Sequence, residues 1–121
     1  MIPVNQQLLK QVKVMNVADF YLETVDEDLK PIIPQFLENA KNEVEQMRGA
    51  LQNNDIQTLR RLGHGAKGAA LGYGLQNMAF LGRQIQDLAE KGDLSAVSAR
   101  INELEVYLSR VKIEFLEMDE D

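Results

Sequence analysis

Apolar residues recur along this chain at alternating spacings of three and four, the period of a helix lying on a core. Ile33, Leu37, Ala40, Val44, Met47 and Leu51 draw one stripe along a helix of about six turns. Pro31 and Pro34 fall where a first turn tolerates a missing N–H. Asn53, Asn54 and Asp55 break the pattern, and Asp55 is placed to cap a helix carrying Ile56, Leu59, Leu62, Ala66, Ala69, Ala70 and Tyr73 inward. That helix closes at Gly72-Tyr73-Gly74. A further helix runs from Leu75 through Met78, Leu81, Gly82, Ile85, Leu88 and Ala89 to Gly92, which suits the left-handed residue beyond a helix end. Asp93 caps the last one, whose stripe is Val97, Ile101, Leu104, Leu108, Val111 and Phe115. Carboxylates at Asp119, Glu120 and Asp121 oppose that helix's dipole and should fray its end.

Val4, Leu8, Val12 and Met15 suggest a short amphipathic helix at the N-terminus, and Val17, Phe20, Tyr21 and Val25 a second apolar stretch packing across a bundle end. Period-2 alternation of β-branched residues never persists, so the expected class is all-α. Three short connections between four long helices predict an antiparallel, up-down-up-down four-helix bundle. The expected organisation is a single domain over 1–121, with an N-terminal helical segment over 1–27 and a core over about 31–118.

Composition narrows the function. A length of 121 residues with 45% apolar and 26% charged positions describes one ordinary globular domain. The absence of cysteine removes disulfides, thiolate metal sites and cysteine nucleophiles, and makes the cytoplasm the expected compartment. No basic, apolar leader opens the sequence, and no apolar run reaches the roughly 20 residues that cross a bilayer. The formal charge of −6 disfavours nucleic acid and anionic lipid, leaving proteins as the expected partners.

Familiar catalytic constellations are missing. A carboxylate-bridged dimetal site needs Glu-x-x-His pairs, and the residue three before the single histidine is Arg61. A hydrolase triad would draw Ser95, Ser98 or Ser109 from another helix, without a nucleophile elbow. Gly63, Gly65 and Gly68 lie near Lys67, but no strand precedes them as a phosphate-binding loop would require.

What stands out is Arg60-Arg61-Leu62-Gly63-His64-Gly65-Ala66-Lys67-Gly68. At about 100° per residue from Leu59, the apolar stripe centres near roughly 350°, whereas His64 falls at about 140° and Gly68 at about 180°. The histidine therefore faces away from the core. Each interior glycine costs roughly 1 kcal/mol relative to alanine, so helix stability did not select Gly65 and Gly68. Gly68, one turn after His64, leaves the imidazole edge open to a blunt partner, and Lys67 at i+3 brings an ammonium beside the ring. Leu71, at about 120°, is an apolar neighbour on the exposed side. These features suit a phosphoryl carrier: imidazole attacks a phosphoryl group on a partner's aspartate, and a lysine offsets the transferring charge.

The run His64-Gly65-Ala66-Lys67-Gly68, with Gly74 ten residues beyond the histidine and Leu75, Met78, Leu81 and Ile85 following, resembles the histidine-containing phosphotransfer (HPt) domains of multistep phosphorelays. Pro34-Gln35-Phe36-Leu37-Glu38-Asn39 and Leu88-Ala89-Glu90-Lys91-Gly92-Asp93 resemble recurrent HPt segments less specifically. The resemblance implies a four-helix bundle with His64 as phosphoacceptor on the second core helix, Lys67 as the phosphate-side cation, and Gly68 as the clearance residue. Gln86 is similar in position to a glutamine that members often place near the imidazole. Ala66 stands where a larger apolar residue is usual, and Gly65 where a polar or bulkier one is, which loosens the helix around His64 and bears on transfer rate.

The implied function is a relay intermediate that accepts a phosphoryl group on His64 from one receiver-domain aspartate and passes it to another. Such a monomer has no intrinsic cofactor and no ATP-dependent activity, and Mg2+ belongs to the partner receiver. Partners are receiver domains and a hybrid histidine kinase. Gly65, Arg61, Leu71 and Phe80 are assigned to docking, Arg60, Arg61 and Arg83 reading as solvated charges rather than phosphate ligands. Blander readings stand beside these. Lys67 and Gln86 also read as solvated side chains, Leu71 and Phe80 as residues covered by the N-terminal helix, and Gly65, Gly68 and Gly72 as close-packing positions, the reading preferred for Gly72. The competing functional class is a non-catalytic adaptor that binds a receiver or kinase without carrying phosphate.

Overall fold

The computed structural model describes residues 21–118. A strand β1 (Leu22–Asp26) leads into a 3-10 turn (Glu27–Ile32), followed by helices α1 (Ile33–Gln52), α2 (Ile56–Tyr73), α3 (Gln76–Glu90) and α4 (Leu94–Arg110), and a second strand β2 (Lys112–Leu116). Consecutive helices pack on each other, and α1 closes the ring against α4. The core between them holds Val44, Met47, Leu59, Leu81, Ile85, Ile101 and Leu104, all almost wholly buried.

The turns form where the sequence places them. Asp55 caps α2, its carboxylate accepting from Thr58 N–H at 3.1 Å, and Asp93 caps α4 by accepting from Ala96 N–H at 3.1 Å. Gly74 and Gly92 take positive φ values of 82° and 74°, the left-handed geometry that ends α2 and follows α3. Pro34 lies in the first turn of α1 and Pro31 in the preceding 3-10 turn.

Both flanks of the bundle depart from expectation. Residues 22–26 are a strand rather than part of a helical segment over 1–27, and the last helix stops at Arg110 instead of continuing to Phe115. The proposed helix at Val4–Met15 and the carboxylates at 119–121 lie outside the described residues, as do Val17 and Phe20. β1 and β2 pair in parallel, with Glu23 opposite Ile113 and Val25 opposite Phe115. Parallel strands need a long crossover, and here the four helices supply it. Val25 is fully buried, with Ile113 and Phe115 packed against the same core, so apolar burial holds the ribbon to the bundle.

Glu23 explains where β1 sits. The residue is only 3% exposed, and one carboxylate oxygen accepts from Tyr107 Oη at 2.6 Å, Asn77 N–H at 3.0 Å and Met78 N–H at 3.3 Å. Leu75, at the N-cap of α3, offers no side-chain acceptor, so a residue from a distant strand caps this helix. Burial raises the Glu23 carboxyl pKa above its ordinary value; the hydrogen bonds from Tyr107 and the backbone of Met78, Asn77 and Gln76 oppose that rise.

Candidate functional site

Helix α2 buries Leu59, Leu62, Gly63, Ala66 and Ala70. Ile56, 37% exposed at the edge of that stripe, and Ala69, also exposed, are not the core residues the periodicity suggested. Gly63 takes a place in the core instead. A Cβ there would lie 2.7 Å from the Gln86 nitrogen and 2.9 Å from the Gly82 oxygen. Reciprocally, a Cβ on Gly82 would lie 2.7 Å from the Lys67 nitrogen and 2.9 Å from the Gly63 oxygen. The two glycines let the backbones of α2 and α3 meet, bringing Gln86 alongside the His64 turn.

His64 is exposed on the opposite side of this stripe. Gly65, Gly68 and Gly72 would each receive a Cβ into open space, with nothing within 4 Å. Close packing therefore fails to explain these three positions, including Gly72, for which the sequence favours it. Gly68 supplies the bare surface one turn beyond the imidazole that the sequence predicts.

A depression of about 330 Å³ adjoins the imidazole, lined by Gln57, Arg60, Arg61, His64 and Gln86. Of the residues named from sequence, it gathers Arg60, Arg61 and Gln86 with His64. Lys67, half-buried at i+3, lies outside the lining, as do Gly65, Gly68, Leu71 and Phe80. Leu71 is 58% exposed on α2 and Phe80 42% exposed on α3. Whether an N-terminal helix covers either falls outside the described residues.

The sequence reading passes over Gln57 and takes Arg60 for a solvated charge, although their positions at i−7 and i−4 from His64 put them on the same helix face. Arg60 is tied across the helix pair, its Nε 3.6 Å from a Glu90 carboxylate oxygen. Arg61 makes no ion pair or hydrogen bond of its own among the described residues; its charge helps Thr58 hold Asp55 below the usual carboxylate range, Thr58's hydroxyl and N–H being the larger causes.

Among the described residues no group of three or more histidine, cysteine, aspartate or glutamate side chains could hold a metal ion. No described helix is long and apolar enough to cross a membrane.

The fold and site define a helical bundle that displays one imidazole on its second helix, beside cations and bare backbone. The family model of the Hpt domain matches residues 31–114, and the chain belongs to that family. Its members serve phosphotransfer in two-component signalling and interact with receiver domains and kinases. No curated protein and no solved structure matches this chain.

Proposed function

We propose that this protein carries a phosphoryl group on His64 between receiver-domain aspartates. The observation that carries the reading is the exposed imidazole with open space at Gly68 on the same face. A ring nitrogen lone pair attacks phosphorus in the aspartyl phosphate, the P–O bond breaks, and its electron pair leaves on the aspartate carboxylate. The N–P bond so formed is broken in turn by an aspartate of the next receiver. The proposed part of Lys67 is to offset charge on the transferring oxygens, and that of Gln86 is a hydrogen bond to the site. Positioning and electrostatics are the carrier's share of such a transfer, Mg2+ and the acceptor carboxylate being the partner's. Leu71 and Phe80 provide apolar surface for docking, with Gly65 and Arg61 beside them.

The antiparallel course of the helices is part of this reading. It is supported by what gathers at the β1–β2 end: the start of α3 and Tyr107 of α4 meet at Glu23, and a Cβ on Gly74, after α2, would lie 3.5 Å from the Thr24 oxygen.

The test is incubation with a phosphorylated receiver domain, following acid-labile, alkali-stable label. The expected result is label on the wild type and none on His64→Gln; equal label on both overturns the proposal.

A further inference from the structure

We infer that the depression on the α2-start side of His64 is the seat of the carried phosphoryl group, and that Arg61 is the cation that holds its oxygens there. This rests on His64 being the phosphoacceptor. The sequence reads Arg61 as a solvated charge at a docking surface; the shape and lining of the depression give it another task.

Three observations carry the inference. The depression holds about 330 Å³ against roughly 30 Å³ for a water molecule's share of liquid volume, so it admits a tetrahedral oxyanion bonded to the ring. Its lining contains two guanidinium groups and two amides, and no carboxylate. In a chain of net charge −6 the lining is thus cationic, the carboxylates that act on its arginines, Glu90 and Asp55, lying outside it. The two arginines also differ. Arg60 is committed to Glu90 at 3.6 Å, whereas Arg61 has no such partner among the described residues.

Helical spacing then sets the arrangement. Arg61 at i−3 and Lys67 at i+3 bracket the ring along the helix axis, one within the lining and one outside it. A guanidinium fork suits two phosphoryl oxygens together, while an ammonium acts as a point charge. On this arrangement Arg61 stabilises the phosphohistidine while it waits, and Lys67 stays on the side toward Gly68, where a visiting protein approaches.

The experiment uses the intact protein and a small donor, phosphoramidate, so that no protein docking enters the result. The donor's P–N bond breaks with loss of ammonia as the His64 N–P bond forms. Uptake and loss of label are followed for wild type, Arg61→Gln, Arg61→Lys, Arg60→Gln and His64→Gln, with circular dichroism to verify folding. The expected result is that Arg61→Gln shortens the phosphohistidine lifetime about tenfold, the scale of one surface charge-assisted hydrogen bond, with partial recovery in Arg61→Lys and a smaller loss in Arg60→Gln, whose charge is shared with Glu90. Phosphorus NMR should show the phosphoryl group of wild type losing its last proton at lower pH than that of Arg61→Gln, a shift that a merely structural arginine would not cause. A labelled wild type whose lifetime and titration match those of Arg61→Gln overturns the assignment of Arg61 and leaves the carrier reading standing. A wild type that takes no more label than His64→Gln overturns both.

Discussion

Gly63 and Gly68 lie five residues apart on one helix and are glycine for opposite reasons. At Gly63 a methyl group would strike backbone atoms of α3 at 2.7 and 2.9 Å; at Gly68 it would meet nothing within 4 Å. The first is required by packing and would be glycine in a bundle with no function. The second weakens its helix without any packing return, so its explanation must lie outside the folded chain. Composition cannot separate the two, because both are interior helical glycines with the same intrinsic cost.

The largest effect that could break this contrast is at the closed position. Gly63→Ala or Gly82→Ala should destabilise the bundle by about 2 to 3 kcal/mol, since the obstructing atoms are backbone and cannot rotate away. Urea denaturation measures this, and an unchanged midpoint would show that the helices separate freely. Glu23→Ala tests the same helix pair from its other end. Leaving the first N–H groups of α3 and the Tyr107 hydroxyl without that acceptor should cost about 1 to 3 kcal/mol, read from the same denaturation curves.

Gly68→Ala should do the reverse and stabilise the protein by about 1 kcal/mol. Gly68→Gln should fold equally well yet slow transfer from a phosphorylated receiver, because its side chain fills the approach to His64. Unaltered transfer kinetics in that variant would end the clearance argument. The smallest expected effect concerns pH. The Glu23 carboxyl has a folded pKa above its ordinary 4.5, so the folded state binds more protons there than the unfolded chain does. Its contribution is most favourable below 4.5 and declines as pH rises through the raised folded value. Glu23→Gln should remove that decline from a stability–pH profile.

Much of the helical core is legible because local chemistry and long-range packing agree there. Asp55, Asp93, Gly74 and Gly92 mark turns by capping and left-handed geometry, and the three-four stripes mark the helices between them. The strands are obscure for a physical reason. Lys112-Ile113-Glu114-Phe115-Leu116 alternates for only five residues, while Val111 and Phe115 also continue the stripe of α4. Its partner alternates with a glutamate facing inward, which inverts the usual polarity signal. Only the contact between distant ends of the chain decides the matter.

At the site, the outward direction of His64 follows from helical angle alone. The pairing of Gly63 with Gly82 does not, because it depends on how two helices cross; neither does the fact that among the described residues Arg60 has an ion pair and Arg61 does not. Gln57 was within reach of the same angular reasoning, but as a polar residue one turn beyond the motif it carried no mark of its own.

The carboxylate of Glu23 also bears on where the cooperative unit ends. The stretch matching the family, 31–114, begins after β1 and so excludes the acceptor for the opening turn of α3. A fragment trimmed to those bounds would keep every helix and the imidazole, yet lose the acid that anchors α3 and α4 to the leading strand. The smallest piece that folds as the whole does should therefore start upstream of residue 22, wider than the recognisable signature.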